Sequence, residues 1–157
     1  MIFSYGITYN TIMKPYKIVI DTNVLVSALR SRRGASFKLL SLIDSGYFII
    51  NISVPLFYEY EEVLKRMSWP GKPANQYIFD ILDYICTVAE KWKIHYLWRP
   101  KLSDPNDEMI LELAVTSQSK FIITYNKSDF REAKEFGISV LNPFEFLNKL
   151  EVRNEHN

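Results

Sequence analysis

Apolar residues occur along the chain in short continuous runs and in helically spaced sets, and the two patterns alternate. The short runs predict five strands: "KIVID" (17–21), "YFIINIS" (47–53), "IHYLW" (94–98), "KFIIT" (120–124) and "ISVLN" (138–142). The helical spacing predicts helices over 23–31, 35–46, 54–69, 75–92, 107–119 and 143–150, with a loop and helix over 125–137. Alternation of this kind predicts an α/β fold, a three-layer α/β/α sandwich with a central, mainly parallel sheet.

The chain is expected to hold one domain with short flanking segments. No linker or repeat interrupts residues 13–151, which we take as the domain, preceded by an extension over 1–12 and followed by a frayed tail over 152–157. We expect the natural start residue to be either Met1 or Met13. The first dozen residues lack a basic leader pattern and no apolar run could span a bilayer, so we expect a cytoplasmic protein.

The amino-acid composition limits the kinds of binding site that the chain could hold. Of the 157 residues, 48% are hydrophobic and 24% are charged, which is typical of a globular domain. The formal net charge of +1 argues against a strongly basic nucleic-acid coat, although a local basic patch is compatible with it. Two histidines are too few for a zinc site, so a bound metal would need oxygen ligands, which favours Mg²⁺ or Mn²⁺.

Acidic residues follow or adjoin several of the predicted strands. Asp21 ends the first strand, and ligands of parallel sheets bind beyond the carboxyl ends of the strands. Carboxylates gathered there repel one another, and a divalent cation both compensates this repulsion and supplies chemistry. The acids that could converge are Asp21, Glu59, Glu61, Glu62, Asp104, Asp107 and Asp129.

The same acids have ordinary structural roles open to them. A helix cap is the alternative for three of them: Asp21, Asp107 and Asp129. Asp104 precedes Pro105 and could belong to a turn. Glu61 and Glu62 fit a solvated helix face, whereas Glu59 lies on an otherwise apolar side. The argument for a metal site therefore depends on the whole set.

Four segments in order carry a resemblance to a known family. They are "IVIDTNVLVSAL", "SVPLFYEYEEVL", "SDPNDEMILELAV", in which Asp107 precedes Ala114 by seven residues, and "FIITYNKSDF". This combination, over about residues 16–147, resembles the PIN domain family, the nuclease fold of many bacterial and archaeal toxins of the VapC type. Many relatives carry an aspartate where Asn126 stands, so the fourth acid would be displaced to Asp129, which affects a second metal position most.

The resemblance implies a Mg²⁺- or Mn²⁺-dependent endoribonuclease that hydrolyses single-stranded RNA, the toxin of a pair with a cognate antitoxin protein. It implies catalytic and metal-binding roles for Asp21, Glu59, Asp107 and Asp129. Supporting roles fall to Thr22, Asn23, Asp104, Thr124 and Asn126. Contacts with RNA phosphates are assigned to Arg30, Arg32 and Arg33, for which an exposed loop is the alternative.

Two other functions are compatible with parts of the sequence. The segment "VIDTNV" superficially resembles the haloacid-dehalogenase phosphatases, but Asn23 stands where their second aspartate is needed. A PIN-like domain that binds RNA or protein without cutting is the stronger rival, and the retention of four acids weighs against it. Surplus aromatic residues on the predicted helix 75–92 also predict a homodimer: Tyr77, Phe79, Tyr84 and Trp92.

Overall fold

The computed structural model describes residues 14–94 and 104–155. In these residues, five parallel strands form one central sheet. In chain order the strands are β1 (Tyr16–Ile20), β2 (Phe48–Ser53), β3 (Glu90–Trp92), β4 (Phe121–Ile123) and β5 (Ser139–Leu141). They lie in the order β3-β2-β1-β4-β5, and every neighbouring pair is parallel. The chain therefore adds strands on one side of β1 and then on the other.

Helices cover the sheet. They are α1 (Thr22–Arg30), α2 (Ala35–Ser41), α3 (Val54–Arg66), α4 (Asn75–Val88), α5 (Pro105–Thr116) and α6 (Pro143–Glu155), with a 3₁₀ segment over Lys127–Phe136. Consecutive residues Ile18, Val19 and Ile20 of β1 are all buried, which requires cover on both faces because successive side chains point to opposite sides. The predicted α/β/α sandwich with a parallel sheet is confirmed.

Aromatic rings join the last helix to the sheet. Phe146 of α6 packs edge-to-face against Phe48 and Phe121, with ring centroids 5.5 and 5.6 Å apart. Tyr16 packs against Phe121 at 5.1 Å in the same way. Such pairs contribute stabilisation beyond the burial of their area. The C-terminal helix therefore belongs to the core.

The edge strand β3 corrects one prediction. The helix expected over 75–92 ends at Val88, and residues 90–92 pair with β2 instead. Trp92 Nε1 donates a hydrogen bond to Asn51 Oδ1 at 2.7 Å, and Lys17 forms an ion pair with Glu90 at 3.2 Å. These partners lie on other strands, so the helical spacing could not reveal them. Of the predicted strand 94–98, only Ile94 lies within the described residues, and it is not in a strand.

Other element boundaries also differ from the prediction. The α6 helix continues to Glu155, five residues beyond its predicted end, so residues 152–155 are helical and not frayed. Arg153 explains this, because its guanidinium lies 4.1 Å from the centre of the Tyr16 ring and donates to the carbonyl of Lys14. The helix expected over 35–46 ends at Ser41, and the helical part of 125–137 is 3₁₀ in type and kinked at Phe130. The predicted extension 1–12 and residue 13 lie outside the described residues.

Candidate active site

The strand order reverses between β1 and β4, and two predicted site residues lie at this point. Asp21 follows β1 and Thr124 follows β4. The backbone N–H of Asp21 donates to the carbonyl of Ile123 at 2.9 Å, and Thr124 Oγ1 donates to Asp21 Oδ2 at 2.7 Å. Ligands of open parallel sheets bind in the crevice at such a reversal. The first predicted acid therefore lies where this fold offers a binding crevice.

Three uncharged donors hold the carboxylate of Asp21, a residue that is only 8% exposed. Besides Thr124, the backbone N–H of Thr22 donates to Oδ1 at 2.8 Å, and Asn23 Nδ2 donates to Oδ2 at 3.3 Å. Asp21 is therefore also the N-cap of α1, and the capping alternative is confirmed. The two roles are compatible, because capping occupies one oxygen while the other faces Thr124.

Thr22, the residue directly after Asp21, holds Glu59 near Asp21. Thr22 Oγ1 donates to Glu59 Oε2 at 2.8 Å, which joins the start of α1 to the middle of α3. The neighbouring Tyr60 is buried and its hydroxyl donates to the carbonyl of Ile20, directly before Asp21. Tyr60 was not among the residues that the sequence predicted for the site. Its position four residues after Leu56 on the apolar side of α3 was the available signal, because a buried hydroxyl needs a partner.

The third acidic segment begins α5. Asp104 is its N-cap, with Oδ1 accepting from the backbone N–H of Asn106 at 2.9 Å. The helix begins at Pro105, two residues earlier than predicted, so Asp107 lies in the first turn and its capping alternative is wrong. The side chain of Asp107 is half-buried. Its position leaves the carboxylate available for another role.

The fourth segment lies after β4. The backbone N–H of Asn126 donates to Thr124 Oγ1 at 3.0 Å, and that of Asp129 donates to the carbonyl of Asn126 at 3.0 Å. Asp129 is exposed in the first turn of the 3₁₀ segment, whose N-cap is Asn126, so the capping alternative for Asp129 is wrong. Asn126 and Asp129 therefore lie in the chain shortly after Thr124, whose hydroxyl donates to Asp21.

Electrostatic effects link the acids of all four segments. Burial raises the pKa of Asp107 from 3.8 to about 6, and the charges of Asp104, Asp21, Asp129 and Glu59 add to this rise. Burial also raises the pKa of Asp21, where Asp129 and Asp104 add repulsion. The pKa of Glu59 rises from burial and from repulsion by Asp21 and Asp104, although the Thr22 hydrogen bond opposes the rise.

No ion pair with a described lysine or arginine relieves this repulsion, whereas Glu61 and Glu62 form ordinary pairs with Lys65 and Arg66 along α3. A set of carboxylate oxygens without a cation fits the ligand preference of Mg²⁺ or Mn²⁺. Within residues 14–94 and 104–155, however, no three His, Cys, Asp or Glu side chains are arranged to hold a metal ion. The acids lie within electrostatic reach of one another without forming a ready-made cage.

The three predicted RNA-contacting arginines line two different grooves. Arg30 stacks on Trp69, with its guanidinium 5.3 Å from the ring centre, and lines a groove with Thr22 and Asn23. Arg32 and Arg33 line a second groove that also includes residues of α2 and α6. Of the three, the structure therefore brings only Arg30 to a groove that also includes Thr22 and Asn23.

The aromatic residues behind the dimer prediction separate into different environments. Tyr77 and Tyr84 are exposed on α4, Phe79 lies under the Lys65 ammonium at 4.8 Å, and Trp92 belongs to β3. The homodimer stays a prediction. In the described part of the chain, no helix is long and apolar enough to cross a membrane.

Comparisons with known proteins agree with this architecture. The chain resembles VapBC2 from Rickettsia felis, solved bound to a DNA fragment from their promoter, with 15% identity, a TM-score of 0.55, and coverage of 80% of this chain and 98% of that chain. It also resembles FitAB bound to the IR36 DNA fragment, with 19% identity, a TM-score of 0.57, and coverage of 80% and 94%. At these identities the likeness shows the fold. No curated protein matches the sequence.

The family model of the PIN domain matches residues 17–128. This range begins in β1, includes Asp21, Glu59 and Asp107, and stops one residue before Asp129. It spans most of the chain and agrees with the fold of both solved structures, so the protein belongs to the PIN domain family.

Proposed function

We propose that this protein is a nuclease that uses Mg²⁺ or Mn²⁺ to hydrolyse the phosphodiester bonds of single-stranded RNA. The observation that carries the proposal is the pair of threonine hydroxyls that bond the carboxylates of Asp21 and Glu59. Thr22 and Thr124 follow adjacent parallel strands, so their bonds bring the two acids to one crevice at the carboxyl edge of the sheet.

The ligands of the ion would be Asp21, Glu59 and Asp107, with Asp129 beside them and Asp104 farther out. A bound divalent ion supplies a nucleophilic water at neutral pH and compensates the charge of the phosphate. The side chains would have to close around the ion, because the described acids form no cage as they stand. This requirement is consistent with the exposure of Asp129 and the half-burial of Asp107.

The polar residues around Asp21 hold its carboxylate in one orientation. Asn23 bridges two parts of the site, because its amide nitrogen lies 3.3 Å from both Asp21 Oδ2 and Thr124 Oγ1, while its oxygen accepts from the backbone N–H of Tyr125. Groups of this kind orient metal ligands and influence their affinity. We assign Thr22, Asn23 and Thr124 this positioning role, and Asn126 the same role through its backbone contact with Thr124.

We further propose that the protein is the toxin of a toxin–antitoxin pair. The support is the similarity in fold to VapBC2 and FitAB together with the VapC-like order of the four acidic segments. An antitoxin would then be its protein partner and RNA its substrate. Growth arrest on expression of the chain, relieved by the product of a neighbouring gene, would support this assignment, and unimpaired growth would contradict it.

A second candidate is a PIN-like domain that binds RNA or protein without cutting. It is favoured by the absence of a ready-made cage among the described acids and by Asn126 at a position where relatives carry an acid. The two candidates differ in one measurable property, because only the nuclease needs a metal for an effect on RNA.

The test is cleavage of a single-stranded RNA by the full chain. We expect cleavage with Mn²⁺, none with EDTA, and a loss on the order of a hundred-fold or more for Asp21→Asn, because one ligand and one charge are removed. Asp83→Asn is the matched control, since Asp83 is exposed on α4. Cleavage that survives EDTA, or an Asp21→Asn variant as active as its parent, would overturn the mechanism. RNA binding without any cleavage would favour the second candidate.

A further inference from the structure

A groove of about 380 Å³ adjoins the acids. Two of its lining residues, Thr22 and Asn23, also bond the carboxylates of Glu59 and Asp21. Its volume lies within the roughly 300–1,000 Å³ typical of sites for small ligands. A polymeric ligand bound at the acids could therefore place its next monomer in this groove.

An immobilised aromatic ring forms one side of the groove. Tyr125 follows Thr124 directly, and its side chain is 47% exposed. A hydrogen bond of 2.6 Å joins its hydroxyl to Ser36 Oγ, which is buried at the start of α2. The backbone N–H of Tyr125 also donates to Asn23 Oδ1 at 3.3 Å. Both ends of the residue are thus fixed while much of its side chain stays open to solvent.

The rest of the groove combines apolar side chains with one cation. Val26, Val63 and Met67 contribute apolar surface from α1, α3 and the residue after it. Arg30 lies at the groove with its guanidinium stacked on Trp69, so part of its rotational freedom is already lost. An aromatic platform, an apolar wall and an arginine together match the face of a nucleobase and the charge of its phosphate.

We infer that this groove is a nucleobase subsite: the base next to the scissile phosphate of a single-stranded RNA stacks on Tyr125, and Arg30 contacts an adjoining phosphate. The inference rests on the proposed nuclease function. A nucleic acid fits better than a peptide, because an occupant continuous with the acid site must present a phosphate there. Stacking on tyrosine accepts every base, so the subsite adds affinity and gives little sequence preference.

The test uses the full chain and a single-stranded oligouridylate of about ten nucleotides that carries one 2-aminopurine, moved along the strand between probes. Ca²⁺ replaces Mn²⁺ so that charge is compensated while cleavage is suppressed. In the parent, emission of 2-aminopurine should be quenched at one position. Tyr125→Phe should keep this quenching, because the ring remains and only the Ser36 bond is lost. Tyr125→Ala should lose it and bind RNA about 5- to 150-fold more weakly.

Tyr47→Ala is the matched control, since Tyr47 is 38% exposed and directly precedes β2, at the opposite edge of the sheet. It should bind RNA as the parent does. In Mn²⁺, Tyr125→Ala should raise KM while kcat stays near the parent value, because stacking contributes equally before and during reaction.

A parent that cuts RNA and a Tyr125→Ala variant with unchanged affinity and quenching would overturn the subsite alone and leave the groove to a protein partner. A parent that neither binds nor cuts RNA would overturn the nuclease function and the subsite together.

Discussion

Replacing Asp107 by asparagine should stabilise the metal-free protein near neutral pH and lose most of this effect near pH 4. The carboxylate is half-buried in the first turn of α5, where burial and four neighbouring carboxylates raise its pKa from 3.8 to about 6. The folded state thus binds the proton more tightly than the unfolded chain does. Ionisation of Asp107 therefore opposes folding, and asparagine removes that opposition.

The size of the effect follows from the pKa. A rise from 3.8 to about 6 corresponds to about 3 kcal/mol between the two protonation states. The side chain retains contact with solvent, and screening reduces this to about half. Asparagine also loses about 0.5 kcal/mol of favourable interaction with the positive end of the helix. The net gain is about 1 kcal/mol, which is a rise in Tm of about 2–4 °C for a chain of this size.

The pH dependence has a defined sign. Because the folded pKa lies above the unfolded value, the stabilising contribution of protonated Asp107 is fully present below about pH 4 and is lost as the pH rises through about 6. Asp107→Asn should therefore exceed its parent in Tm at pH 7.5 and approach it at about pH 4. The measurement is thermal unfolding with EDTA present, followed by circular dichroism across this range.

The control is Asp83→Asn, which replaces an exposed carboxylate on α4 and should change the free energy of unfolding by less than about 0.5 kcal/mol. A Tm of Asp107→Asn that is lower than, or equal to, that of the parent at pH 7.5 would refute the reasoning. An equal gain at both ends of the pH range would also refute it, because the gain would then be independent of ionisation.

Three further predictions concern the acids and the RNA contacts, and a fourth concerns assembly. Mn²⁺ should raise the Tm of the parent and leave that of Asp21→Asn unchanged, because an ion that binds only the native state stabilises it; equal responses would contradict the ligand assignment. Asn126→Asp should change cleavage rates if position 126 supplies the fourth acid, whereas unchanged kinetics would assign that role to Asp129. Arg30→Ala should lower the salt slope of RNA binding by about 1, and Arg32→Ala should lower it less, because of these two only Arg30 lines the groove that includes Thr22 and Asn23. Light scattering at micromolar concentration should find a homodimer, and a monomer would refute that prediction.

Local patterns in the sequence determined much of the fold. The runs that became β1, β2 and β4 are apolar because these central strands are covered on both faces, so consecutive residues are buried. Asp21 could be assigned to the carboxyl edge for the same reason, because it directly follows such a run. The ordered segments around Asp21, Glu59 and Asp107 were sufficient to indicate the PIN domain family, which the family model confirms.

The tertiary structure decided what depends on residues far apart in the chain. Strand β3 forms because Asn51 and Lys17 offer partners to Trp92 and Glu90, and these partners have no trace in the helical pattern of the segment itself. The last turns of α6 are held by contacts of Arg153 with Tyr16 and Lys14, across the length of the chain. Hydrophobic periodicity along the sequence indicates which residues are buried, but it does not indicate which residues they pack against.

The candidate site divides in the same way. The sequence was sufficient to propose the acids: Asp21 because a buried carboxylate after a strand is costly without a partner, and the others because their segments resemble those of the PIN domain family. It was not sufficient for their arrangement, since the bonds from Thr22 to Glu59 and from Thr124 to Asp21 span 37 and 103 residues. The bond that fixes Tyr125 to Ser36 spans 89 residues and left no local signal. Such contacts depend on the spatial order of the strands in the sheet, and that order is a property of the folded chain as a whole.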